Sequence, residues 1–526
     1  MSINKPGTTL TTRILIHCLV PIIWLFAAQV TADEVHDLYN MHCAACHGPD
    51  RLGRMGPALL PQNLKRVKKD EAFEVIRNGR VASQMPAFAG QLNDQQVTLL
   101  RDYIYTPLAV MPEWNADSIS STRRIIVPSK ELPDKPVHDA ELMNMFVVVE
   151  LGDHHASILD GNSFEVIKRI KTHFALHGGP KYSPDGRFVY FASRDGWIAK
   201  FDMYSLQTVA EVRAGINTRN LAVSGDGRYV MVGNYLPHTL VLLDANDLGL
   251  IKVIPVKDDK GNSSRVSAVY AAEPRKSFIV ALKDIPEVWE IPYNDDAEPI
   301  YPGLVHDYRL KEGIAIEGKF GIRRIKLDDY LDDFFFDQSY SLLIGAARNN
   351  KNGQVVHMDA RRKIADVDID GLPHLSSGIT WEYQGRQVLA TPNLKKAEIS
   401  IIDMKTWETI KRIETLGPGF FMRSHENSQY AWAGVFFGPN RDAVHLIDKN
   451  TLEIAKTLRH EPGKTAAHVE FDKDGRHALL SIWEYDGAVI VYDAHTLEEV
   501  KRLPMVKPSG KYNVYNKITR SAGTSH

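Results

Sequence analysis

A repeat of about 44 residues runs through residues 146–526 and limits the folds that this chain can adopt. Each copy contains an apolar strand ending in Asp, a short turn and a charged strand, and the recurring residue is Asp160, Asp202, Asp244, Asp359, Asp403, Asp448 and Asp493. The spacings are 42, 42, 115, 44, 45 and 45 residues, and the long interval accommodates two copies plus about 25 inserted residues within 295–333. A period of this length with several short strands is typical of propeller blades. Eight copies therefore predict an all-β eight-bladed β-propeller.

A second recurring string marks tight turns inside the copies. Asp-Gly lies between apolar runs at 183–187, 224–228 and 472–476. In this setting Asp-Gly predicts a hairpin turn. The Asp that recurs in every copy is explained more simply as a turn former than as a catalyst. Function must then come from other residues near the propeller axis.

The string Cys43-Ala44-Ala45-Cys46-His47 is an attachment signal for a c-type haem. Two thiols three residues apart lie on one face of a helical turn, where both can bond to the porphyrin vinyl groups, and His47 becomes the proximal iron ligand. The alternatives are a zinc half-site and a thioredoxin-like redox pair. Zinc needs further Cys or clustered His ligands, and the one remaining cysteine, Cys18, lies in a segment that we expect to be removed. The sequence therefore predicts covalent haem c and a redox protein.

Residues 33–108 are predicted to form a small all-α class I cytochrome c domain around this motif. Apolar periodicity indicates helices at 35–41, 71–79 and 94–105. Met85 precedes a proline between the haem motif and the last helix, so it is the predicted sixth iron ligand, and His/Met coordination raises the potential to values suited to electron transfer. Met55 is the competing ligand. The prolines within 109–145 indicate an extended linker to the propeller.

Residues 1–32 have the pattern of a secretory signal peptide, with a thinly charged start, an apolar run at 14–28 and small residues before Asp33. The apolar run is short for a membrane span, so we expect no stable membrane insertion after cleavage. A cleaved signal and covalent haem c predict the periplasm. The 63 basic and 65 acidic residues give a formal net charge of −2 and no argument for nucleic acid as a partner.

A c-type haem domain followed by an eight-bladed propeller resembles the cytochrome cd1 nitrite reductase family, over almost the whole mature chain. The strings that look like the family are Arg194-Asp195, Pro373-His374, Ser481-Ile482-Trp483 and the closing segment 508–516. Members of the family bind a second, non-covalent cofactor, haem d1, at the propeller centre. The resemblance therefore implies that haem d1, or its precursor dihydro-haem d1, is the ligand of this propeller.

The resemblance also assigns residues of this sequence to that ligand. His177 matches the proximal ligand of the d1 iron, and Arg194, Arg219 and Tyr235 match positions that hold d1 carboxylates. Arginine suits this task because its planar fork binds a carboxylate through two hydrogen bonds. Without the resemblance, His177 would be interpreted as a loop histidine and the two arginines as solvent-facing residues.

Departures from the family pattern bear on the activity. Nitrite reductases place two histidines over the open face of d1 to protonate nitrite. His374 matches the second, whereas Asp332, followed by bulky rings, stands where the first is expected, which argues against efficient nitrite reduction. His468 occupies a position that looks non-basic in those enzymes, at the start of a predicted inner strand of the last blade. A near-neutral imidazole suits a general base; the alternative is a polar strand cap, and His425 is a weaker competitor.

This pattern resembles the dehydrogenase branch of the family, which completes haem d1 biosynthesis for denitrification by oxidising a propionate side chain of dihydro-haem d1 to an acrylate. The resemblance implies an oxidoreductase in which His177 and His374 clamp the macrocycle, His468 removes a proton and haem c accepts electrons one at a time. His468 and His374 are thus the predicted catalytic residues. Transient partners would be the cytochrome cd1 nitrite reductase and a periplasmic electron acceptor. The competing functions are nitrite reduction, non-catalytic carriage of d1, and an unrelated haem-and-propeller dehydrogenase.

Overall fold

The computed structural model describes residues 1, 32–80, 84–301, 315–347, 352–369 and 371–519. Apart from its two end residues, the predicted signal peptide at 1–32 lies outside the described residues. No helix within these ranges is long and apolar enough to cross a membrane. The described α-helices are α1 (Ala32–His42), α2 (Ala44–His47), α3 (Lys69–Asn78), α4 (Asp94–Ile104), α5 (Ala116–Thr122) and α6 (Val514–Thr519).

The first four helices form the domain around the haem motif. Helix α1 leads into the motif and α2 carries its end, while α3 and α1 both pack against α4. Tyr39, Val97 and Leu100 are fully buried in the apolar core between them. Asn93 caps α4 in a reciprocal pair of hydrogen bonds with Gln96, which satisfies N–H groups that the helix itself leaves unpaired. This domain has the small all-α character that the sequence predicts.

Eight antiparallel sheets of four strands follow in the described part of the chain, one of them extended by β1 (Arg124–Ile125), so the predicted eight-bladed propeller is confirmed. The first four blades contain β2 (Met145–Glu150), β3 (His155–Asp160), β4 (Val166–Lys171) and the C-terminal β33 (Pro508–Asn513); β5 (Lys181–Tyr182), β6 (Phe188–Ala192), β7 (Trp197–Asp202) and β8 (Gln207–Arg213); β9 (Asn217–Val223), β10 (Tyr229–Leu236), β11 (Thr239–Asp244) and β12 (Leu250–Pro255); and β13 (Val266–Ala272), β14 (Ser277–Leu282), β15 (Glu287–Pro292) and β16 (Arg323–Lys326).

The other four blades contain β17 (Asp333–Phe336), β18 (Leu342–Ala346), β19 (Gly353–His357) and β20 (Arg362–Val367); β21 (Ile379–Tyr383), β22 (Arg386–Pro392), β23 (Glu398–Asp403) and β24 (Thr409–Glu414); β25 (Gly419–Arg423), β26 (Tyr430–Val435), β27 (Ala443–Asp448) and β28 (Glu453–Arg459); and β29 (Ala466–Phe471), β30 (His477–Ile482), β31 (Gly487–Asp493) and β32 (Glu499–Met505).

The first strand of each blade faces the propeller axis. The first strands of neighbouring blades contact one another, as β5 does β9, β9 does β13 and β29 does β33, whereas fourth strands such as β4 and β28 are largely exposed. The blades follow one another in chain order, so the second and sixth blades lie on opposite sides of the ring of eight. Residues near the starts of the first strands therefore meet at one end of the central channel.

The recurring Asp of the sequence repeat ends the third strand of its blade, except in the fifth blade, where Asp359 lies in the turn two residues after β19. The Asp244 carboxylate accepts the Asn246 backbone N–H at 2.7 Å, and the Asp403 carboxylate accepts the Lys405 backbone N–H at 2.7 Å. These side chains act as turn formers, as the sequence predicts. The Asp-Gly strings lie, also as predicted, in the hairpins between first and second strands.

The fourth blade contains the insertion that lengthens one repeat interval. Strand β15 ends at Pro292, and its partner β16 begins only at Arg323, so the inserted segment is 293–322. Residues 302–314 of this segment lie outside the described residues. The inserted segment lies within the predicted interval 295–333 apart from its first two residues, 293 and 294; β16 and the start of the fifth blade occupy the rest of that interval.

The linker at 109–145 is less extended than the sequence predicts. Helix α5 buries Ile119 completely against the propeller, and β1 pairs antiparallel with β8. Proline content indicates breaks in regular structure, but it does not exclude a short helix held by packing. The linker therefore fastens the cytochrome domain to the outside of the second blade.

Candidate functional site

His47 is held in one tautomer at the end of α2. Its Nδ1–H donates to the Pro57 carbonyl oxygen at 2.8 Å, which leaves the Nε2 lone pair for an iron ion. Burial lowers the pKa of His47 more than the Pro57 hydrogen bond raises it, so the ring is neutral at pH 7. Cys43 is buried, Cys46 is exposed, and both line the same cavity as His47. This arrangement fits a c-type haem with His47 as an axial ligand.

Small and apolar residues complete the haem crevice. A Cβ atom at Gly56 would lie 2.6 Å from His47 Cε1, so a glycine is required beside this ring. Met85 and Met55, the two candidate sixth ligands, both line the cavity. Met85 also packs against the apolar core of the domain.

One cavity of about 970 Å³ joins the haem crevice to the propeller centre. Cofactor and ligand sites typically occupy ~300–1,000 Å³, so this volume suits a large ligand. The predicted site residues that line it are Cys43, Cys46, His47, Met85, His177, Arg194, Arg219, Tyr235, His374 and His468. The structure therefore brings together every site residue selected from the sequence.

His177 lies just before β5, where its backbone N–H donates to the Ala192 carbonyl of the second blade. Its Nδ1–H donates to the Arg219 carbonyl at 2.7 Å, so Nε2 carries the lone pair and accepts from Arg219 Nη1 at 2.9 Å. Burial and the positive charges of Arg194 and Arg219 hold the pKa of His177 well below its usual range. A neutral imidazole anchored through its second nitrogen fits an iron ligand. Ligation at Nε2 requires the Arg219 side chain to turn away.

Tyr235 lies inside a cluster of cations supplied by the second, third and fourth blades. The cations that line the cavity here are Arg194, Arg219, Arg265 and Lys283. Burial would raise the pKa of Tyr235, but these four charges, with Lys283 contributing most, lower it to about 8. Burial and the repulsion from Arg219 lower the pKa of Arg194 to about 10. Arg265 is paired with Asp284 and Lys283 with Asp332. The cluster therefore keeps a smaller net positive charge, which suits a ligand with several carboxylates.

His374 lies on the sixth blade, across the ring from His177, and is 9% exposed. Its Nδ1–H donates to the Phe420 carbonyl at 2.5 Å. Its Nε2 is 3.2 Å from Ser376 Oγ and 3.5 Å from Asp333 Oδ2. Asp333 also accepts the Ser376 backbone N–H at 2.9 Å. The Phe420 carbonyl and the Ser376 hydroxyl thus hold the His374 ring at the cavity wall, with the Asp333 carboxylate close by.

Asp332 does not lie beside His374, in contrast to the sequence-based expectation. Its carboxylate pairs with Arg66 of the cytochrome domain at 3.0 Å and with Lys283 at 3.1 Å. The acidic neighbour of His374 is Asp333, one residue later. Successive residues entering a strand face opposite sides, so a displacement of one position exchanges the partners of the two aspartates.

A continuous row of rings connects His374 to His468. The ring centroids are 4.2 Å apart for His374 and Phe420, 4.5 Å for Phe420 and Phe421, and 5.2 Å for Phe421 and His468. Tyr512 on β33 extends the row, with its centroid 5.5 Å from that of His468. Aromatic rings supply a large apolar contact area at little conformational cost. The row is suited to pack against a flat macrocycle.

His468 lies on β29 and is 4% exposed. The Lys511 backbone N–H donates a long hydrogen bond of 3.4 Å to His468 Nδ1. The Lys511 ammonium donates to the His468 carbonyl oxygen, and to Ser481 Oγ at 2.7 Å. Burial raises the pKa of Tyr512 to about 12, so its hydroxyl keeps its proton at neutral pH.

His425, the weaker competitor, lies outside this cavity. It is 1% exposed in the turn after β25, where its Nδ1 accepts the Asn427 backbone N–H at 3.1 Å. Gly475 packs against the ring, because a Cβ atom there would lie 2.3 Å from His425 Nδ1. These contacts give His425 a structural role.

Arg265, Lys283 and Tyr512 are cavity residues that were not selected from the sequence. The repeat contains a signal for one of them. Arg194 and Lys283 each follow the second strand of their blade, β6 and β14, and both line the cavity. Aligning the repeats by their strands would have indicated Lys283 from its equivalence to Arg194.

Comparison with known proteins agrees with this geometry. Residues 140–306 and 315–517 match the family described as cytochrome D1 heme domain. The chain belongs to this family. Residues 30–104 match the family described as cytochrome C oxidase, cbb3-type, subunit III, which confirms the prediction of a cytochrome c domain.

Individual relatives cover almost the whole chain. The dihydro-heme d1 dehydrogenase of Pseudomonas aeruginosa is 54% identical over 489 residues, which cover 93% of this chain and 95% of the relative. A nitrite reductase of Stutzerimonas stutzeri is 25% identical and covers 93% of this chain and 94% of its own length. The solved structure of dihydro-heme d1 dehydrogenase NirN in complex with DHE has a TM-score of 0.76 and 54% identity, covering 92% of this chain and 99% of that chain. The predicted similarity to the dehydrogenase branch is confirmed.

Proposed function

We propose that the protein is a dihydro-haem d1 dehydrogenase, which oxidises a propionate side chain of dihydro-haem d1 to an acrylate. The observation that carries this proposal is the single cavity in which His177, the cation cluster and His468 share one space with the haem motif. Similarity to the P. aeruginosa dehydrogenase, 54% identical over 93% of this chain, supports the same activity.

The propeller binds the substrate by its iron, its carboxylates and its flat faces. His177 supplies a neutral nitrogen for the iron, and His374 approaches from the opposite side of the ring of blades. Arg194, Arg219 and Tyr235 bind the carboxylates, and the positive charge around Tyr235 accounts for the preference for an anionic macrocycle. Holding the macrocycle at several points matters because proton removal depends on sub-ångström positioning of the C–H bond.

The oxidation breaks one C–H bond on each of two adjacent carbons, forms a C=C bond, and releases two electrons and two protons. His468 accepts a proton from the side chain, and solvent receives the protons in the end. Tyr512, which is protonated at neutral pH, orients the reacting side chain through its hydroxyl. Cys43 and Cys46 would hold haem c covalently, His47 and Met85 would bind its iron, and the bound haem would supply a one-electron acceptor.

The cellular setting follows from these cofactors. The proposed covalent haem and the predicted signal peptide support a periplasmic location for the mature protein. Electrons leave haem c for a periplasmic acceptor, and haem d1 passes in a transient contact to a cytochrome cd1 nitrite reductase, the enzyme class that uses it. Nitrite reduction by this protein itself is disfavoured because the carboxylate of Asp333, rather than a second imidazole, stands beside His374.

The test is to mix purified protein with dihydro-haem d1 and an electron acceptor in the absence of oxygen, and to follow the visible spectrum. We expect conversion to the spectrum of haem d1, with haem c reduced on the way. His468→Gln should bind the substrate with native affinity but convert it at least ~100-fold more slowly, the usual scale for loss of a general base. The matched control is His495→Gln, at an exposed turn on the rim. Native conversion by His468→Gln would exclude it as the base, and binding without conversion by the native protein would identify a carrier.

A further inference from the structure

A nearly buried ion pair ties the cytochrome domain to the propeller. The Arg66 guanidinium binds the Asp332 carboxylate through two hydrogen bonds of 3.1 and 3.0 Å, and it also donates to the Lys283 carbonyl oxygen at 2.6 Å. Its guanidinium carbon is 3.9 Å from the centre of the Tyr330 ring. The side chain of Asp332 is only 4% exposed and that of Arg66 20%. Bidentate pairs shielded from water in this way are much stronger than surface salt bridges.

The ion pair lies at the edge of the ligand cavity. Asp332 and Lys283 line that cavity, and the Lys283 ammonium is 3.1 Å from the Asp332 carboxylate. The cavity walls come from both domains, with Asn63 on the cytochrome side and Tyr235 on the propeller side. Asn63 Nδ2 donates to the Tyr235 carbonyl oxygen at 3.2 Å across the same boundary. A macrocycle that fills this space is therefore covered by the cytochrome domain.

We propose that Arg66 and Asp332 are positioning residues that latch the cytochrome domain over the cavity, and that opening of this latch sets the rate at which the macrocycle is exchanged. The inference rests on the proposed function for the identity of the macrocycle. Neither side chain takes part in the oxidation itself. Their role is to keep haem c close to the substrate during turnover and to release the cover afterwards.

The rest of the interface explains why the domains stay attached when the latch opens. Ala58 and Leu60 of the cytochrome domain are fully buried against Ile216 and Leu236 of the third blade. The linker helix α5 is packed on the propeller as well. An apolar contact and a packed linker thus provide a hinge, while the charged pair towards the fourth and fifth blades provides the releasable contact.

Lys283 connects the latch to the cavity. Its ammonium pairs with Asp332 and also contributes to the positive cluster around Tyr235. A ligand carboxylate bound in this cluster competes with Asp332 for Lys283. Lys283 then competes less with Arg66 for the Asp332 carboxylate, so a bound ligand favours the closed latch.

The test measures release of haem d1 from the loaded full-length protein into excess serum albumin, as a scavenger, by stopped-flow spectroscopy. Arg66→Gln should release haem d1 about tenfold faster than the native protein, which corresponds to about 1.4 kcal/mol, with an unchanged haem c spectrum. Arg66→Lys, which keeps the positive charge, should release haem d1 at a rate between those of the native protein and Arg66→Gln. Asp332→Asn should also speed release, by a smaller factor, because it frees Lys283 for the ligand. The matched control is Lys65→Gln, an exposed neighbour whose ammonium reaches Asn262 across the same interface at 3.5 Å.

Native release rates in both Arg66→Gln and Asp332→Asn would overturn the latch, even if the native protein converts dihydro-haem d1 normally. Equal acceleration by Lys65→Gln would also overturn it, because the effect would then belong to interface charge in general. Latch-dependent release by a native protein that fails to convert dihydro-haem d1 would support the latch and refute the proposed activity. The two proposals therefore fail separately.

Discussion

Ionisation of Tyr235 should weaken ligand binding above pH 8. The surrounding cations lower the pKa of its phenol to about 8, so in alkaline solution a phenolate sits among the charges that would otherwise receive the ligand carboxylates. Binding then requires the phenolate to take up a proton. Each pH unit above 8 should raise Kd up to about tenfold, equivalent to about 1.4 kcal/mol. Spectral titration of the protein with haem d1 between pH 7 and 9.5 measures this dependence.

The Tyr235→Phe variant isolates the effect of this one group. Lys181 lines the same cavity, and burial together with Arg423 lowers its pKa to about 8, so some affinity is lost in both proteins as this ammonium deprotonates. The contribution of Tyr235 is therefore the difference in slope between the native protein and Tyr235→Phe. Parallel curves from pH 7 to 9.5 would refute the reasoning.

The same pKa shift has a consequence for stability. Tyr235 ionises at a lower pH in the folded chain than in the unfolded chain, where tyrosine has a pKa of ~10. The ligand-free protein should therefore gain stability as pH rises from 8 to 10, by up to about 3 kcal/mol relative to Tyr235→Phe. That contribution should be lost as pH falls through 8.

Two further predictions concern haem c. Met85→Ala should change the low-spin spectrum of haem c and lower its midpoint potential because the thioether ligand is lost; an unaltered spectrum would assign the ligand to Met55 instead. Gly56→Ala places a methyl group 2.6 Å from His47 Cε1, about 0.8 Å closer than van der Waals contact allows, so the ring must move and its hydrogen bond to Pro57 must weaken. Redox titration should then show a shifted potential with the covalent haem retained, and a native potential would mean that the crevice relaxes without cost.

The regular parts of the fold could be predicted because local chemistry specifies them. Asp244 and Asp403 each stabilise a turn at the end of a third strand, so an Asp recurs from repeat to repeat. The number of blades can therefore be counted from the spacing of these residues. The helix in the linker was harder to predict because it is stabilised by packing of Ile119 on propeller residues that are distant in the sequence. The sequence bounded the insertion only within 295–333, because no repeat signal shows where β16 begins to pair with β15.

Some residues of the ligand site could likewise be predicted from the sequence, and others could not. His177 and His374 were identified because they match positions of the family, and His468 because it stands where the nitrite reductases look non-basic. The activity that these residues suggested is supported by a relative that is 54% identical over 93% of the chain. Lys283 was missed because its importance comes from three neighbouring cations, Arg265 on its own blade and Arg194 and Arg219 on two other blades. The exchange of Asp332 and Asp333 followed from a one-residue uncertainty, which matters because alternate strand residues face opposite sides.

The closure of the propeller determines when this protein can first hold its ligand. Strand β33 pairs with β2 across about 360 residues of chain, and it carries both Tyr512 and the Lys511 that backs His468. While the chain emerges N-terminus first, seven blades and part of an eighth can form before that strand is available. A nascent or C-terminally clipped chain would present His177 and the arginines but would lack the part of the wall between His177 and His468. Capture of a scarce tetrapyrrole is thereby reserved for finished molecules, so that incomplete ones do not sequester it.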